Sequence, residues 1–316
     1  MEDEQKSLSK EQTKDIITNL KFDYFLLKLF DNLSKKTLDM IKYNKKIKEI
    51  LNININDYKK YSELYSSIEI ELIPVDNRYG QFININNEDE KFYHIYKYKF
   101  NNFEEEIKRD HIKFNEYIRK IKIIIDYQVK SFKELFYNCI CLEKINFKKF
   151  YRNNITNMDC MFYGCSSLKE LNITNFNTSN VINMNFMFRG CSSLKQLNLS
   201  NFNTSNVTEM KFIFCECKSL ETLNLSNFNT SNVINMYGMF SGCSSLKELN
   251  LSNFNFKNAY TIHSMFYECP SLIELNLPNF NINNDVDIHS MFYGCSEQFI
   301  EKIKSQYDNL KEEAFN

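Results

Sequence analysis

The chain has 316 residues, 43% of them apolar and 15% aromatic, which is material for one large core or two ordinary ones and excludes global disorder despite the many Asn and Lys. Thirty-nine Lys and Arg against forty Asp and Glu leave a net charge of −1, so no electrostatic feature points to a nucleic acid or an anionic membrane surface as partner.

Residues 1–14 are polar and read as a disordered tail, with no apolar stretch of signal-peptide length. The longest apolar runs, such as Tyr24–Leu27 and Ile123–Ile125, are too short to cross a bilayer. The expectation is a cytoplasmic protein without membrane insertion. Acceptor sequons at Asn172, Asn198, Asn224 and Asn250 fall in one column of the repeat described below. Strands about 4.8 Å apart leave no room for a row of glycans, which argues against secretion in a eukaryotic host.

Residues 15–66 read as a helical subdomain, because Phe22, Phe25, Leu26, Leu29, Phe30 and Leu33 recur at spacings of three and four, followed by Leu38, Ile41, Ile47, Ile50 and Leu51. Over 67–128 the period changes to two. Ile68, Ile70 and Leu72 alternate with Glu69 and Glu71 before Pro74, Ile83 and Ile85 follow the Tyr79-Gly80 turn signal, and Phe92–Phe100 and Ile121–Ile125 are further strand candidates. Phe103–Ile118 is charged and fits helix or loop. The whole segment is expected to form a small β-rich cap running into the next region.

From 129 to 296 the sequence repeats every 26 residues, without insertion or loss across Cys139, Cys165, Cys191, Cys217, Cys243, Cys269 and Cys295. Each clear copy carries L-x-x-L-x-L, as in Leu194-Leu197-Leu199, and then Val207, Met210, Phe214 and Cys217 at the spacing of one helix face. About eight inward side chains per unit, at roughly 1.5–3 kcal/mol each, cannot offset the entropy of ordering the unit alone, so the units must stack. The predicted fold class is therefore α/β: a leucine-rich-repeat solenoid of about six to seven coils with parallel strands and helical returns, preceded by a small α+β N-terminal domain. A C-terminal capping helix over 297–316 is expected to close it, with Phe299, Ile300, Ile303, Tyr307 and Leu310 on one face.

The array C-S-S-L-K-x-L-N-L-S-N-F-N-T-S-N-V-x-x-M-x-x-M-F-x-x-C, over about Phe132 to Ser296, resembles the BspA-like leucine-rich repeats, with Pro278 giving the L-x-L-P variant. Phe202 and its equivalents depart from the usual buried Asn or Cys, and the frequent export signal of that class is absent. The resemblance implies an adhesion or protein-binding scaffold, on the cell surface where exported. Asp23–Leu38 is loosely similar to an F-box helical module, which would imply a substrate adaptor of a ubiquitin ligase.

No Ser/His/Asp or Cys/His set has supporting spacing and no Gly-rich phosphate loop is present, so neither a catalytic residue nor a cofactor is expected. The phased cysteines read as small buried hydrophobes rather than disulfides or metal ligands, while Cys141, Cys160 and Cys215 are out of phase and expected to be more exposed. His263 and His289 lie 26 residues apart and read as a stacked surface pair, since two imidazoles alone hold zinc poorly. Asn146, Asn172, Asn198, Asn224, Asn250 and Asn276 form a column suited to an amide ladder. Beside them, variable columns are the candidate protein-binding face. With the Asn column, the candidate partner-binding set is Lys169, Glu170, Asn172, Lys195, Gln196, Asn198, Glu221, Thr222, Asn224, Lys247, Glu248, Asn250, Glu274 and Asn276.

Overall fold

The computed structural model describes residues 66–84, 93–98, 104–107, 109–125, 129–278, 285–307 and 310–316. The chain divides between Tyr65 and Ser66. The tail, the expected helices before Ser66 and the F-box-like stretch Asp23–Leu38 therefore lie outside the described residues.

The strands are β1 (Ile68–Pro74), β2 (Gly80–Gln81), β3 (Tyr93–Tyr98), β4 (Glu104–Ile107), β5 (His111–Ile112), β6 (Lys120–Ile125), β7 (Leu142–Lys149), β8 (Glu170–Asn172), β9 (Glu248–Asn250) and β10 (Glu274–Asn276). They form a six-stranded sheet in the order β4-β3-β6-β1-β7-β8 and two separate pairs, β10-β9 and β2-β5. Period-two patterning explains the centre of the large sheet. Ile68, Ile70 and Leu72 point inward from β1 against Ile125, Ile123 and Ile121 of β6, all fully buried. The outer face is a charge comb in which Glu69 meets Lys122 and Lys149 while Glu71 meets Lys120 and Lys148. Arg152, wholly buried, donates from Nε to the Ser66 carbonyl (2.9 Å) and from Nη2 to the Ile125 carbonyl (3.1 Å), tying the start of β1 to the end of β6. The stretch Phe103–Ile118, open between helix and loop in the sequence, contributes β4 and β5.

The predicted α/β leucine-rich-repeat solenoid is overturned. Among the described residues there is one α-helix, α1 (Glu297–Gln306); the strands fall into three separate sheets, and five of the seven strand pairings are antiparallel. Parallel pairing of named strands is confined to β7-β8 and β9-β10. No helical return forms, and the backbone shows why. Residues such as Phe186 (φ 56°) and Phe212 (φ 54°) adopt left-handed conformations that an α-helix does not admit. Their amides bond to the next 26-residue unit instead of to a carbonyl four residues back: Met184 N–H to Glu209, Phe186 to Lys211, Phe188 to Ile213 and Gly190 to Cys215, at 2.8–3.0 Å.

What the repeat builds is a stack of tight turns held edge to edge by this ladder. Inside it Phe136, Phe162, Phe188, Phe214, Phe240, Phe266 and Phe292 lie in one column, with centroids 5.5–5.7 Å apart and planes within 12° of parallel. Such offset stacking adds about 0.5–1.5 kcal/mol per pair beyond area burial. The expected capping role of the C-terminal helix is corrected too. Helix α1 is capped by Ser296 and places Phe299 edge-on to Phe292, but the ladder edge is closed by the following tail. Ser290 and Phe292 donate their N–H groups to the carbonyls of Glu313 and Ala314, within the 3₁₀ turn Glu312–Ala314, and Phe315 stacks on Phe292 at 5.6 Å.

The abundance of Asn and Thr is explained by bonds between units. Asn201, Asn227 and Asn253 each donate Nδ2 to carbonyls of the preceding unit, at 2.6–2.7 Å to Phe176, Phe202 and Phe228. Thr178, Thr204 and Thr230 are buried, each donating Oγ1 to a carbonyl of the following unit and accepting from the same residue's N–H. Thr204→Val keeps the shape but strands both the N–H and the carbonyl of Asn229, at a cost of about 1–3 kcal/mol. Urea titration should show a lower midpoint at unchanged m-value, while Thr222→Val on the exposed face should stay within about 0.5 kcal/mol of the parent.

Candidate functional site

All fourteen candidate interaction residues are exposed: Lys169, Glu170, Asn172, Lys195, Gln196, Asn198, Glu221, Thr222, Asn224, Lys247, Glu248, Asn250, Glu274 and Asn276. They are aimed outward because the residues between them point in, with Leu197, Leu223, Leu249 and Leu275 no more than 7% exposed. At the two ends of the face the charges are paired. Lys169 meets Glu143 at 3.3 Å, Glu170 meets Lys144, and Glu274 meets Lys302 of α1 at 2.6 Å. In the middle, Lys195, Glu221, Lys247 and Glu248 make no ion pair among the described residues. A groove of about 840 Å³ runs over Thr222, Glu248 and Glu274 and the neighbouring Asn224, Asn250 and Asn276, and Gln306 and Tyr307 line it where α1 ends. The Tyr307 hydroxyl fixes that end by accepting from the Leu277 N–H at 3.1 Å.

The amide ladder expected for the Asn column forms at one step only among the described residues, Asn172 Nδ2 to Asn146 Oδ1 at 2.9 Å. Elsewhere the column caps its own turn: Asn198, Asn224 and Asn250 each accept the N–H two residues on, at 3.0 Å. At Asn172 both occur, Oδ1 accepting the Thr174 N–H at 3.2 Å while Nδ2 donates across the units, so what the turn occupies is the acceptor oxygen that the next amide of a ladder would need. Their Nδ2 groups remain on the exposed face.

All ten cysteines are unpaired. Cys165, Cys191, Cys217, Cys243, Cys269 and Cys295 direct Sγ at the carbonyl of the ladder Phe in the previous unit, at 3.0–3.3 Å. Cysteine suits the column because it is small and apolar yet brings one weak donor. Of the three out-of-phase residues expected to be more exposed, Cys141 and Cys215 are buried and only Cys160 is partly open. Cys141 Sγ reaches the Gln81 carbonyl at 3.0 Å, so packing against the β2 turn covers it. Burial pushes these three thiols up to about 11, 11 and 12 for Cys141, Cys215 and Cys160.

His263 and His289 are brought side by side as expected, but with a third group between them. The backbone ladder aligns 262–264 with 287–289 through Ile262 N–H to Asp287 and Ser264 N–H to His289, both 2.9 Å. Asp287 then lies 3.3 Å from His263 Nδ1 by Oδ2 and 2.8 Å from His289 Nδ1 by Oδ1. Partial burial pushes the Asp287 carboxyl up, yet the hydrogen bonds from His289 and the two imidazoles outweigh it and leave it lowered. The hydrogen bond to Asp287, with Glu313 nearby, raises His289. Comparison along single columns missed Asp287, which sits two positions before the histidine column. The legible signal was an Asp-x-His one repeat after a His.

No helix among the described residues is long and apolar enough to cross a membrane. No curated protein and no solved structure matches the chain significantly. A family of Mycoplasma proteins of unknown function, DUF285, matches twice with overlap, over residues 130–223 and 197–306. The family fits a BspA-like repeat protein loosely. Those matches span the whole turn stack and α1, more than half of the sequence, and on them the chain belongs to the DUF285 family.

Proposed function

We propose that this is a non-enzymatic, BspA-like repeat protein that holds a protein partner on the exposed face carrying Lys195, Glu221, Lys247 and Glu248. The supporting observation is the charge pattern. A regular lattice fixes the backbone and pairs the charges at both ends of the face, while the central four are left open beside a groove lined by amides and carboxylates. Open charges of both signs on a rigid face suit a partner of complementary mixed charge, and govern register and association rate more than raw affinity. The face is polar and the Leu row beneath it is buried, so affinity would come from hydrogen bonds and ion pairs to the exposed amides and charges.

The test reverses the centre in one protein, Lys195→Glu, Lys247→Glu and Glu248→Lys. Because these side chains are exposed and unpaired, melting temperature and circular dichroism should not change. Proteins recovered by the parent from its own cell extract should be lost by the triple variant. Recovery of the same proteins at the same yield by both would refute the assignment of the face.

A further inference from the structure

We propose that His263, Asp287 and His289 form a binding site for a divalent transition-metal ion of borderline softness, with Zn²⁺ as the best-suited ion. Each side chain offers one ligand atom, and these atoms all lie within 4.8 Å of one another. Zinc bonds near 2.0–2.1 Å with tetrahedral angles need ligand atoms about 3.3 Å apart, so rotation of exposed side chains closes the set without moving the backbone. Two imidazoles and one carboxylate are a borderline-to-hard donor set, which suits Zn²⁺ over Mg²⁺ or Ca²⁺, and three protein ligands leave a fourth position for water.

Two features argue for more than a surface ion pair. First, the backbone is preset. His263 and His289 project from adjacent rungs of the ladder, and Asp287 Oδ1 is anchored by the His289 N–H at 3.1 Å, which leaves Oδ2 facing His263. Second, an orienting carboxylate is present behind one ligand. His289 presents Nδ1 to the group, while its Nε2 lies 3.6 Å from Glu313 Oε2, an ion-pair distance from which a slight turn of either exposed side chain would make the hydrogen bond by which an outer carboxylate fixes the tautomer of a metal-binding imidazole. Glu313 belongs to the tail that closes the ladder, so a bound ion would link the last two units to that closure. The equivalent columns upstream read Asn183 with Asn185, Glu209 with Lys211 and Asn235 with Tyr237, so no other rung holds this set.

The test uses the full chain, stripped with chelator under reducing conditions, and titrated calorimetrically with ZnCl₂ and with MgCl₂. One Zn²⁺ per chain and no Mg²⁺ uptake is the expected result. Asp287→Asn retains the turn cap, and His289→Gln retains an exposed polar side chain, so both should stay folded by circular dichroism while losing the bound equivalent. Glu313→Gln should weaken binding by about 10- to 100-fold without abolishing it. Co²⁺ substitution separates imidazole from thiolate ligation. An intense near-ultraviolet thiolate charge-transfer band, or one equivalent retained by the His263→Gln/His289→Gln double variant, would assign the ion to cysteine and overturn the site. Absence of Zn²⁺ uptake by the parent would overturn it equally.

Discussion

Between about pH 9 and pH 11 the protein should unfold steeply, over a range in which most domains of its size merely soften, because its buried thiols titrate only in the unfolded chain. Burial pushes Cys139, Cys165, Cys191, Cys217, Cys243 and Cys269 well above the ordinary thiol range, with the neighbouring thiols of the column adding repulsion against a thiolate. The native state therefore binds more protons than the unfolded state. The stability that this supplies is complete below the unfolded thiol value near 8.5 and is lost as pH rises above it. Each such group contributes a slope of about 1.4 kcal/mol per pH unit once the unfolded thiol is ionised, so the six together give about 8 kcal/mol per unit, comparable to the whole stability of a typical domain. Urea midpoints measured in steps from about pH 7 to pH 10 read this slope directly, and below about pH 9.5 tyrosine and lysine contribute little. The thiols should also resist a disulfide reagent at pH 8 until denaturant is added. A slope near 1 kcal/mol per unit, or fast labelling of the native chain, would show that the column is open to solvent.

The same column shows how far the sequence could be read. That the phased Cys, Leu and Phe residues face inward, and that the columns between the Leu positions face outward, follows from comparing units. A position that tolerates Lys, Gln, Glu and Thr in turn cannot be buried in all of them, whereas one that is Phe or Cys throughout can. The handedness and hydrogen bonding of the return were not legible by that route. Val207, Met210, Phe214 and Cys217 have the spacing of a helix face, yet consecutive tight turns also bring every third or fourth residue inward, so periodicity alone does not separate the two. The distinguishing signal lay in another column: Asn138, Gly164, Gly190, Glu216, Gly242, Glu268 and Gly294. Four glycines and an asparagine at one phase mark a left-handed residue in mid-return, and every member has positive φ. The partner column hides the same conformation behind Cys160, Phe186 and Phe212, where stacking of Phe186 on Phe212 at 5.4 Å keeps bulky residues in the strained region.

Loss of the helical return changes where the strength of the fold resides. A helix satisfies its own amides and leaves side chains to join neighbours, whereas here the backbone of each turn is completed only by the next turn. Interfaces between units should then carry more of the stability than the units themselves. On the Asn face the bond between units is Glu221 N–H to Lys195 at 3.3 Å at one step and Ile273 N–H to Lys247 at 2.8 Å at another, while the return ladder runs at 2.7–3.2 Å.

Phe214→Ala should therefore be the most damaging single truncation in the stack, costing about 3–5 kcal/mol. Its ring is fully buried at the middle of the column, 5.7 Å from Phe188 and 5.6 Å from Phe240, so removal empties a volume lined on both sides by rings that the ladder holds in place. Neighbours cannot collapse into it, since Phe188 N–H stays bonded to Ile213 of the truncated unit and Phe240 N–H to Met265 of the unit beyond, at 2.9 Å each. Phe214→Leu refills most of the space and should recover all but about 1.5 kcal/mol. The same truncation at Phe292 should cost less, because the ring there rests on Phe315 and on the edge of Phe299, both on short C-terminal elements able to move inward. Urea unfolding of the three variants ranks them. A loss below about 1 kcal/mol for Phe214→Ala, or equal losses at Phe214 and Phe292, would mean that the rings are passive fill and that the backbone ladder alone carries the stack.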